Sequence, residues 1–353
     1  MLQYMTAKEA AEKWNISQRR VSVLCSENRI TDAAMLGKMW IIPIAAKKPA
    51  DARMKNNQYD NKTLHPFVKW AGGKSQSLDI LSRYLPKNIS EIKKYAEPMV
   101  GGGALFFNIL SRYNFEQLYI SDINAELINS YKVIKDNVED LIIKLNDMQK
   151  VFLSLAENGR KDFYYKIRND FNNTELLEKT AVDKAAQFIF LNKTCFNGLY
   201  RVNRKGQFNV PMGAYKNPTI CDEENLRNIS KLLKNVVIVC GDYTLSKTFI
   251  DKETFVYLDP PYRPISETSG FTSYNSEIFN DNEQIRLSEF IKEIDKKGAK
   301  IILSNSDPKN VNAEDNFFDD LYKDYKINRV KATRMINSNA EKRGEINELL
   351  ICN

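Results

Sequence analysis

Histidine is almost missing from this chain of 353 residues, with His65 its one example. A multi-histidine metal centre is therefore excluded, and a Ser-His-Asp or Cys-His nucleophile would have to run through that single imidazole. Cysteine is sparse too. The five at positions 25, 195, 221, 240 and 352 show no CxxC spacing and follow no signal peptide, which predicts a cytoplasmic chain without a disulfide framework. Long apolar runs are also lacking. Residues 39–46 are broken by Pro43, far short of the roughly 20 residues that cross a bilayer, so no membrane partner is expected. Neither is a metal. Carboxylates, backbone groups or a cofactor are left to carry any catalysis.

What is present is length for two domains, 43% hydrophobic residues for a sizeable core, and 52 Lys and Arg against 45 Asp and Glu. A net charge of +7 spread over such a length is weak evidence for a polyanionic partner until its distribution is known. Residues 1–46 read as two short helices and a hairpin. Thr6 with Glu9 forms a capping box, Ser17 caps the second helix, and the apolar pieces around Gly37-Lys38 resemble the wing of a winged helix-turn-helix. Residues 47–62 are polar and aperiodic, a linker. From 63 to 353 the pattern is α/β: YAEPMV, QLYISD, VVIVCGD, TFVYLDPPY and AKIILSNSD are apolar runs that end in polar, Gly or Pro residues. Helical spacing fits a segment opening on Gly101-Gly102-Gly103, and also 124–148 and 282–297.

Eight of the 14 glycines fall in three short segments, where close backbone approach or positive φ is needed. One is EPMVGGGALFF, a strand, a glycine loop and a helix, followed by LYISDIN with Asp122 placed 19 residues after Gly103. Such a loop brings backbone N–H groups to a ligand and such an acid suits ribose hydroxyls, although similar turns occur in α/β proteins that bind no nucleotide.

The segment TFVYLDPPY delivers Asp259, Pro260, Pro261 and Tyr262 from the end of an apolar strand. The prolines cannot donate but their carbonyls accept, and the tyrosine offers a stacking face. An exocyclic amine is a poor nucleophile because its lone pair is delocalised. Accepting its two N–H bonds with Asp259 and the Pro260 carbonyl would aim that lone pair at an electrophile, with Tyr262 stacked on the base. The plainer reading is a proline turn with a capping Asp. A third segment, 192–216, carries Lys193, Arg201, Arg204, Lys205 and Lys216 and no acid; the acid-free stretch runs from 185 to 221. Basic residues interleaved with Phe196, Tyr200 and Tyr215 suit phosphates, base edges and unstacked bases, though a solvated basic loop has the same composition.

Taken together, HPFVKWAGGK, EPMVGGGALFF, SDIN, GDY, FNGLYR with FNVPMGAYK, DPPY and ILSNSD resemble the Dam-type (D12 class) adenine-N6 DNA methyltransferases, in the family's order, from His65 to Cys352. The resemblance implies a Rossmann-like S-adenosylmethionine-dependent methyltransferase with an inserted target-recognition region at about 140–235, acting on adenine N6 in GATC of double-stranded DNA by base flipping. It also implies that the cofactor is held by Trp70, Ala71, Gly72, Gly73, Lys74, Glu97, Pro98, Gly101, Gly103, Asp122, Ile123, Asp242, Tyr243 and Asp259. Arg201 and Lys69 would read guanines, Leu199 and Pro211 the thymine edge, and Asn197 and Tyr215 further bases or phosphates. Phe196 would fill the gap left by the flipped adenine. Met99, Met212 and Ala214 depart from the commonest family pattern, and Ala214 costs one phosphate contact.

Three features lie beside this reading. The 263–275 loop, rich in Ser, Thr and Gly, either closes over a flipped base or is a connection. The first unit is an addition to the family pattern; Arg19 and Arg20 would meet DNA if its second helix is a recognition helix, and a protein-docking module is the other option. A cognate restriction endonuclease is a possible partner. Two other classes remain open at this point: a DNA-binding regulator with a degenerate methyltransferase domain, and a methyltransferase of RNA or another amine.

Overall fold

The computed structural model describes residues 4–14, 16–26, 30, 32–37, 39–46, 48, 64–70, 78–173, 180–263, 279–333 and 345–353, with backbone alone for Arg20, Ala332, Thr333 and Glu345. The chain divides into two units, Met1–Asn61 and Lys62–Asn353.

In the first unit, β1 (Tyr4–Thr6) leads into α1 (Ala7–Trp14) and α2 (Gln18–Ser26), and then into the hairpin β2 (Ala34–Leu36) and β3 (Met39–Pro43). The sheet order is β1-β3-β2, antiparallel throughout. Thr6 and Glu9 cap α1 reciprocally: Thr6 N donates to the Glu9 carboxylate at 2.6 Å and Glu9 N to Thr6 Oγ1 at 3.3 Å. Ala10, Trp14, Val21, Leu24 and Ile42 form a small core of their own, and Gly37 turns the hairpin at φ +63°.

The second unit is built from α3 (Leu78–Leu81), β4 (Lys94–Glu97), α4 (Ala104–Leu110), β5 (Gln117–Asp122), α5 (Ala125–Asp136), α6 (Val138–Ser154), α7 (Glu157–Asn172), α8 (Ala181–Thr194), α9 (Glu223–Leu233), β6 (Val236–Cys240), β7 (Thr254–Leu258), α10 (Asp281–Lys296), β8 (Lys300–Ser306), α11 (Phe317–Leu321), β9 (Lys326–Thr333) and β10 (Glu345–Cys352). Among the described residues the sheet runs β6-β5-β4-β7-β8-β10-β9. The first five strands are parallel, and β10 pairs antiparallel with both β8 and β9. β7 is buried at all five positions, as a continuous apolar run in a parallel sheet must be. Tyr95, Phe106, Phe255 and Tyr131 lie in one core cluster, and Val256, Leu258, Phe290 and Ile294 in another.

The five strands expected from apolar runs are all present. The helix expected over 124–148 is two: Asn137, at φ −136° and ψ 40°, ends α5 and starts α6. The sheet order reverses between β4 and β7. In such a sheet, ligands bind outside the carboxyl ends of the strands at the reversal, and here those ends carry EPMVGGG and DPPY.

Candidate active site

β4 ends at Glu97, whose side chain is 2% exposed and accepts a hydrogen bond from the Tyr95 hydroxyl. Burial pushes its carboxyl up to about 8; the Tyr95 bond opposes this and the negative Asp259 adds to it. Gly101 (φ +50°) and Gly103 (φ +74°) then turn the chain into α4. The loop is fixed from three sides. Val100 N donates to Ser121 O at 2.9 Å, Gly101 N to Asp122 Oδ2 at 3.1 Å, and the Tyr131 hydroxyl to Gly101 O at 3.1 Å. Trp70 packs on the open side: a Cβ at Gly101 would lie 2.8 Å from the indole Cδ1, and one at Gly102 3.0 Å from the tryptophan Cβ. Gly101 is required by the close approach as well as by φ, and Gly102 by the close approach.

Asp122, at the end of β5, is half-buried. Burial raises its carboxyl above the ordinary value, against backbone N–H bonds from Asn124, Gly101 and Ile123. Ile123 next to it is 72% exposed. At the end of β6, Gly241 N donates to Asp122 O at 3.0 Å. Asp242 accepts from Thr244 N at 3.0 Å and Arg286 Nη2 at 2.8 Å. These bonds outweigh burial and hold its carboxyl below the usual range. The Tyr243 ring turns into the core, 4% exposed and edge-on to Phe290, so from this residue only the backbone is available at the strand end.

β7 delivers a half-buried Asp259, a buried Pro260, an exposed Pro261 and a half-buried Tyr262. The platform is braced from behind. Gln284 Nε2, on α10 and fully buried, donates to Pro261 O at 3.2 Å; Asn305 Nδ2, also buried on β8, donates to Gln284 Oε1 at 3.1 Å. Ser306 Oγ donates to Arg263 O at 2.9 Å. The Arg263 guanidinium then pairs with Asp281 at 2.8 Å and Asp315 at 2.7 Å. The Tyr262 hydroxyl donates to Glu348 at 3.4 Å; burial first, then the charges of Asp259 and Glu348, hold it protonated. The ILSNSD segment thus serves the platform through Asn305 and Ser306, a role its sequence does not announce.

The acid-free segment leaves α8 as an irregular hairpin. Phe196 N donates to Pro211 O at 2.9 Å, Gly213 N to Thr194 O at 2.8 Å and Asn203 N to Gln207 O at 2.8 Å. Asn197 and Gly198 both take left-handed conformations, φ +55° and +63°. Phe196 is 52% exposed, and Asn197, Arg201 and Pro211 are exposed as well. Arg201 Nε donates to Asn209 Oδ1 at 2.7 Å. Lys69 sets its ammonium 3.9 Å from the Tyr215 ring centre, and its side chain occupies the space a Cβ on Gly198 would need. Tyr200 corrects one expectation: instead of facing bases, it stacks on Trp70, ring centres 5.6 Å apart. Leu199 is half-buried against the core. Lys193 is held below the usual lysine range by burial and by the nearby Lys69 charge.

Ala71, Gly72, Gly73 and Lys74, the 264–275 part of the loop after the platform, and the Arg20 side chain lie outside the described residues. Arg19 is exposed on α2. His65 joins no part of the platform: its imidazole lies 3.2 Å from Asp222 at the start of α9. Among the described residues no cluster of His, Cys, Asp and Glu would hold a metal, and no helix is long and apolar enough to cross a membrane. Sequence reasoning missed Gln284, Arg286 and Asn192, which act through tertiary contacts that no local motif marks, and gave Asn305 no role although its segment ILSNSD is part of the resemblance.

A family model described as D12 class N6 adenine-specific DNA methyltransferase matches residues 70–336. The chain is 54% identical over 293 residues to a protein named Type II methyltransferase M.MjaIII of Methanocaldococcus jannaschii, which covers 82% of this chain and 99% of that one. It is 39% identical to Type II methyltransferase M1.LlaDCHI of Lactococcus lactis subsp. cremoris, over 84% of this chain and 98% of the relative. A DNA adenine methylase of Haemophilus influenzae is 36% identical, over 84% and 97%.

Proposed function

Because the chain belongs to the D12 class of N6 adenine-specific DNA methyltransferases, we propose that it methylates the adenine of GATC in duplex DNA, flipped out of the helix, with S-adenosylmethionine as donor. The observation that carries this reading is the acceptor pair, Asp259 and the Pro260 carbonyl, at the end of β7 beside the glycine loop that follows β4, with the adjoining Pro261 carbonyl held by Gln284.

The residues present fit the donor. Gly101 and Gly102 let Trp70 lie directly against the loop, Asp122 presents an anchored carboxyl with an exposed Ile123 beside it, and the Asp259 carboxylate suits a cation, with the buried, neutral Glu97 carboxyl near it. Trp70, Glu97, Gly101, Asp122 and Asp259 would hold the group, together with Asp242 and the Tyr243 backbone. When bound, it supplies an electrophilic methyl. The protein's task is positioning. Asp259 and the Pro260 carbonyl each accept one N–H of the adenine amine, which turns the nitrogen lone pair out of conjugation, and the Tyr262 ring stacks on the base. Asp259 acts as acceptor and orienter; the proton leaves once nitrogen has gained positive character. With Gln284 holding Pro261 O, no reorganisation of the platform is needed at the moment of reaction.

Target reading falls to the exposed side of the hairpin. With Arg201 Nε engaged by Asn209, its two terminal nitrogens are left as the fork that suits guanine O6 and N7. Lys69 would take the second guanine, Leu199 and Pro211 the thymine edge, Asn197 and Tyr215 neighbouring bases or phosphates, and Phe196 the gap left by the adenine. For the first unit we propose a winged helix-turn-helix role, with exposed Arg19 and its neighbour Arg20 meeting DNA phosphates. Two relatives are named Type II methyltransferases, which favours action in the cytoplasm beside a cognate restriction endonuclease.

Sequencing modified bases in DNA from cells expressing the protein tests this directly. N6-methyladenine confined to GATC is expected, and methylation at another motif overturns the specificity. In a tritiated-methyl assay Asp259→Ala should abolish transfer while the variant still unfolds cooperatively. Retained transfer overturns the mechanism.

A further inference from the structure

We propose that Asn192 is a positioning residue that couples cofactor binding to target recognition, so that filling either site tightens the other; the proposal rests on the assignment of those two sites above. Asn192 lies near the end of α8 and is 2% exposed. Its amide makes three hydrogen bonds across the fold: Oδ1 accepts from Lys69 N at 2.7 Å, and Nδ2 donates to Lys69 O at 2.8 Å and to Gly198 O at 3.0 Å. A side chain that takes both the N–H and the C=O of one residue substitutes for a neighbouring strand. Asn225 does the same four residues earlier, accepting from His65 N at 3.2 Å and donating to His65 O at 2.9 Å. Two asparagines, on α8 and α9, therefore fix the 65–69 segment as firmly as a sheet partner would.

Lys69 and Trp70 reach towards the two sites assigned above. The Trp70 side chain rests on the Gly101-Gly102 loop and stacks on Tyr200, rings inclined by 23°, and Tyr200 precedes Arg201. The Lys69 side chain crosses Gly198 and ends over Tyr215. The glycine loop, Trp70, Tyr200 and the left-handed corner at Asn197 and Gly198 thus form one contiguous packed unit. Asn192 is its buried polar junction, since one amide grips both the segment before Trp70 and the corner before Arg201. Moving the reading corner relative to the cofactor side leaves the part-buried Lys69 carbonyl and the buried Gly198 carbonyl without their donor, which opposes the movement. A ligand that holds Trp70 in place therefore also holds the reading corner. By linkage the benefit is equal in both directions.

The test uses the full chain, a GATC duplex and S-adenosylhomocysteine. For wild type the duplex Kd should tighten about tenfold when S-adenosylhomocysteine is saturating, and the S-adenosylhomocysteine Kd by the same factor when duplex is saturating. Asn192→Ala should cut both ratios to less than about twofold, whatever it does to the separate affinities. A merely structural role would lower the melting temperature and leave the ratio unchanged. Tyr200→Leu, which removes the stack but keeps the amide, should lower the ratio part of the way and provides the test if Asn192→Ala does not fold. Variants that keep the wild-type ratio overturn the proposal, as does a wild type that binds both ligands without mutual tightening. A wild type that binds neither ligand instead overturns the underlying site assignment.

Discussion

The platform at 259–263 is held by fully buried side-chain amides on α10 and β8 and presents a fixed acceptor pair, whereas the hairpin at 195–216, tied from behind by Asn192, Tyr164 and Asn172, turns Phe196, Asn197, Arg201 and Pro211 to solvent. The buried region fixes one geometry, in which a displaced carbonyl has nowhere to find a partner. The exposed region needs only a stable corner from which side chains reach outward. The two regions thereby differ in what they present to a ligand, a fixed acceptor pair on one side and outward-reaching side chains on the other.

The largest expected effect is on stability, and it comes from Glu97, the buried carboxyl at the end of the strand beside the platform. The Glu97 carboxyl rises from the ordinary 4.5 to about 8 on folding, so between these values the folded protein holds a proton that the unfolded chain has lost. Its contribution is complete below pH 4.5 and is lost as pH rises towards 8, with a slope of up to about 1.4 kcal/mol per pH unit. Urea unfolding at a series of pH values, without added cofactor, should show this decline in wild type and a flatter profile in Glu97→Gln. Equal profiles would show that the buried carboxyl does not carry it.

Next, Gln284→Leu removes the brace behind Pro261. Transfer at saturating DNA and cofactor should fall about 100-fold, with the KM for DNA little changed. A rise in KM with normal kcat would erase the distinction between the regions. On the exposed side, Arg201→Ala should relax discrimination at one guanine by about 10- to 100-fold in kcat/KM on substituted duplexes. The smallest change is expected for Lys205→Ala at the hairpin tip: binding to all sequences weakens alike and the slope of log affinity against log salt drops by about one.

The same contrast explains what could be read from the sequence. Parallel strands buried on both faces appear as bare apolar runs, so β4 to β8 were visible, and the residues at their ends came with them. β9, with KINRVKAT, sets Ile327 and Val330 three apart among polar residues at the sheet edge, so no period of two marks it as a strand; β10 became a strand only by pairing with β8 and β9. The polar α7, ENGRKDFYYKIRNDFN, hides its few buried residues, Tyr164 and Phe171, among exposed charge. Tyr200 sits among basic residues, a setting that suits contact with bases, yet its ring stacks on Trp70. Gln284, Asn305 and Asn192 were illegible for one reason: an amide's meaning lies in which distant backbone group it meets, and spacing along the chain does not encode that.

The chain leaves β5 at Asp122, builds α5 to α9 and the reading hairpin, and re-enters the sheet at Val236 beside the same strand. Everything between these points is an excursion from one parallel pair, anchored at both ends by neighbouring strands. A graft that exchanges residues 138–221 for those of a relative with another target would leave every strand of the sheet and the acceptor platform in place. Its obligations at the junction are an amide where Asn192 now stands, a glycine at 198 under the Lys69 side chain and a ring at 200 to meet Trp70.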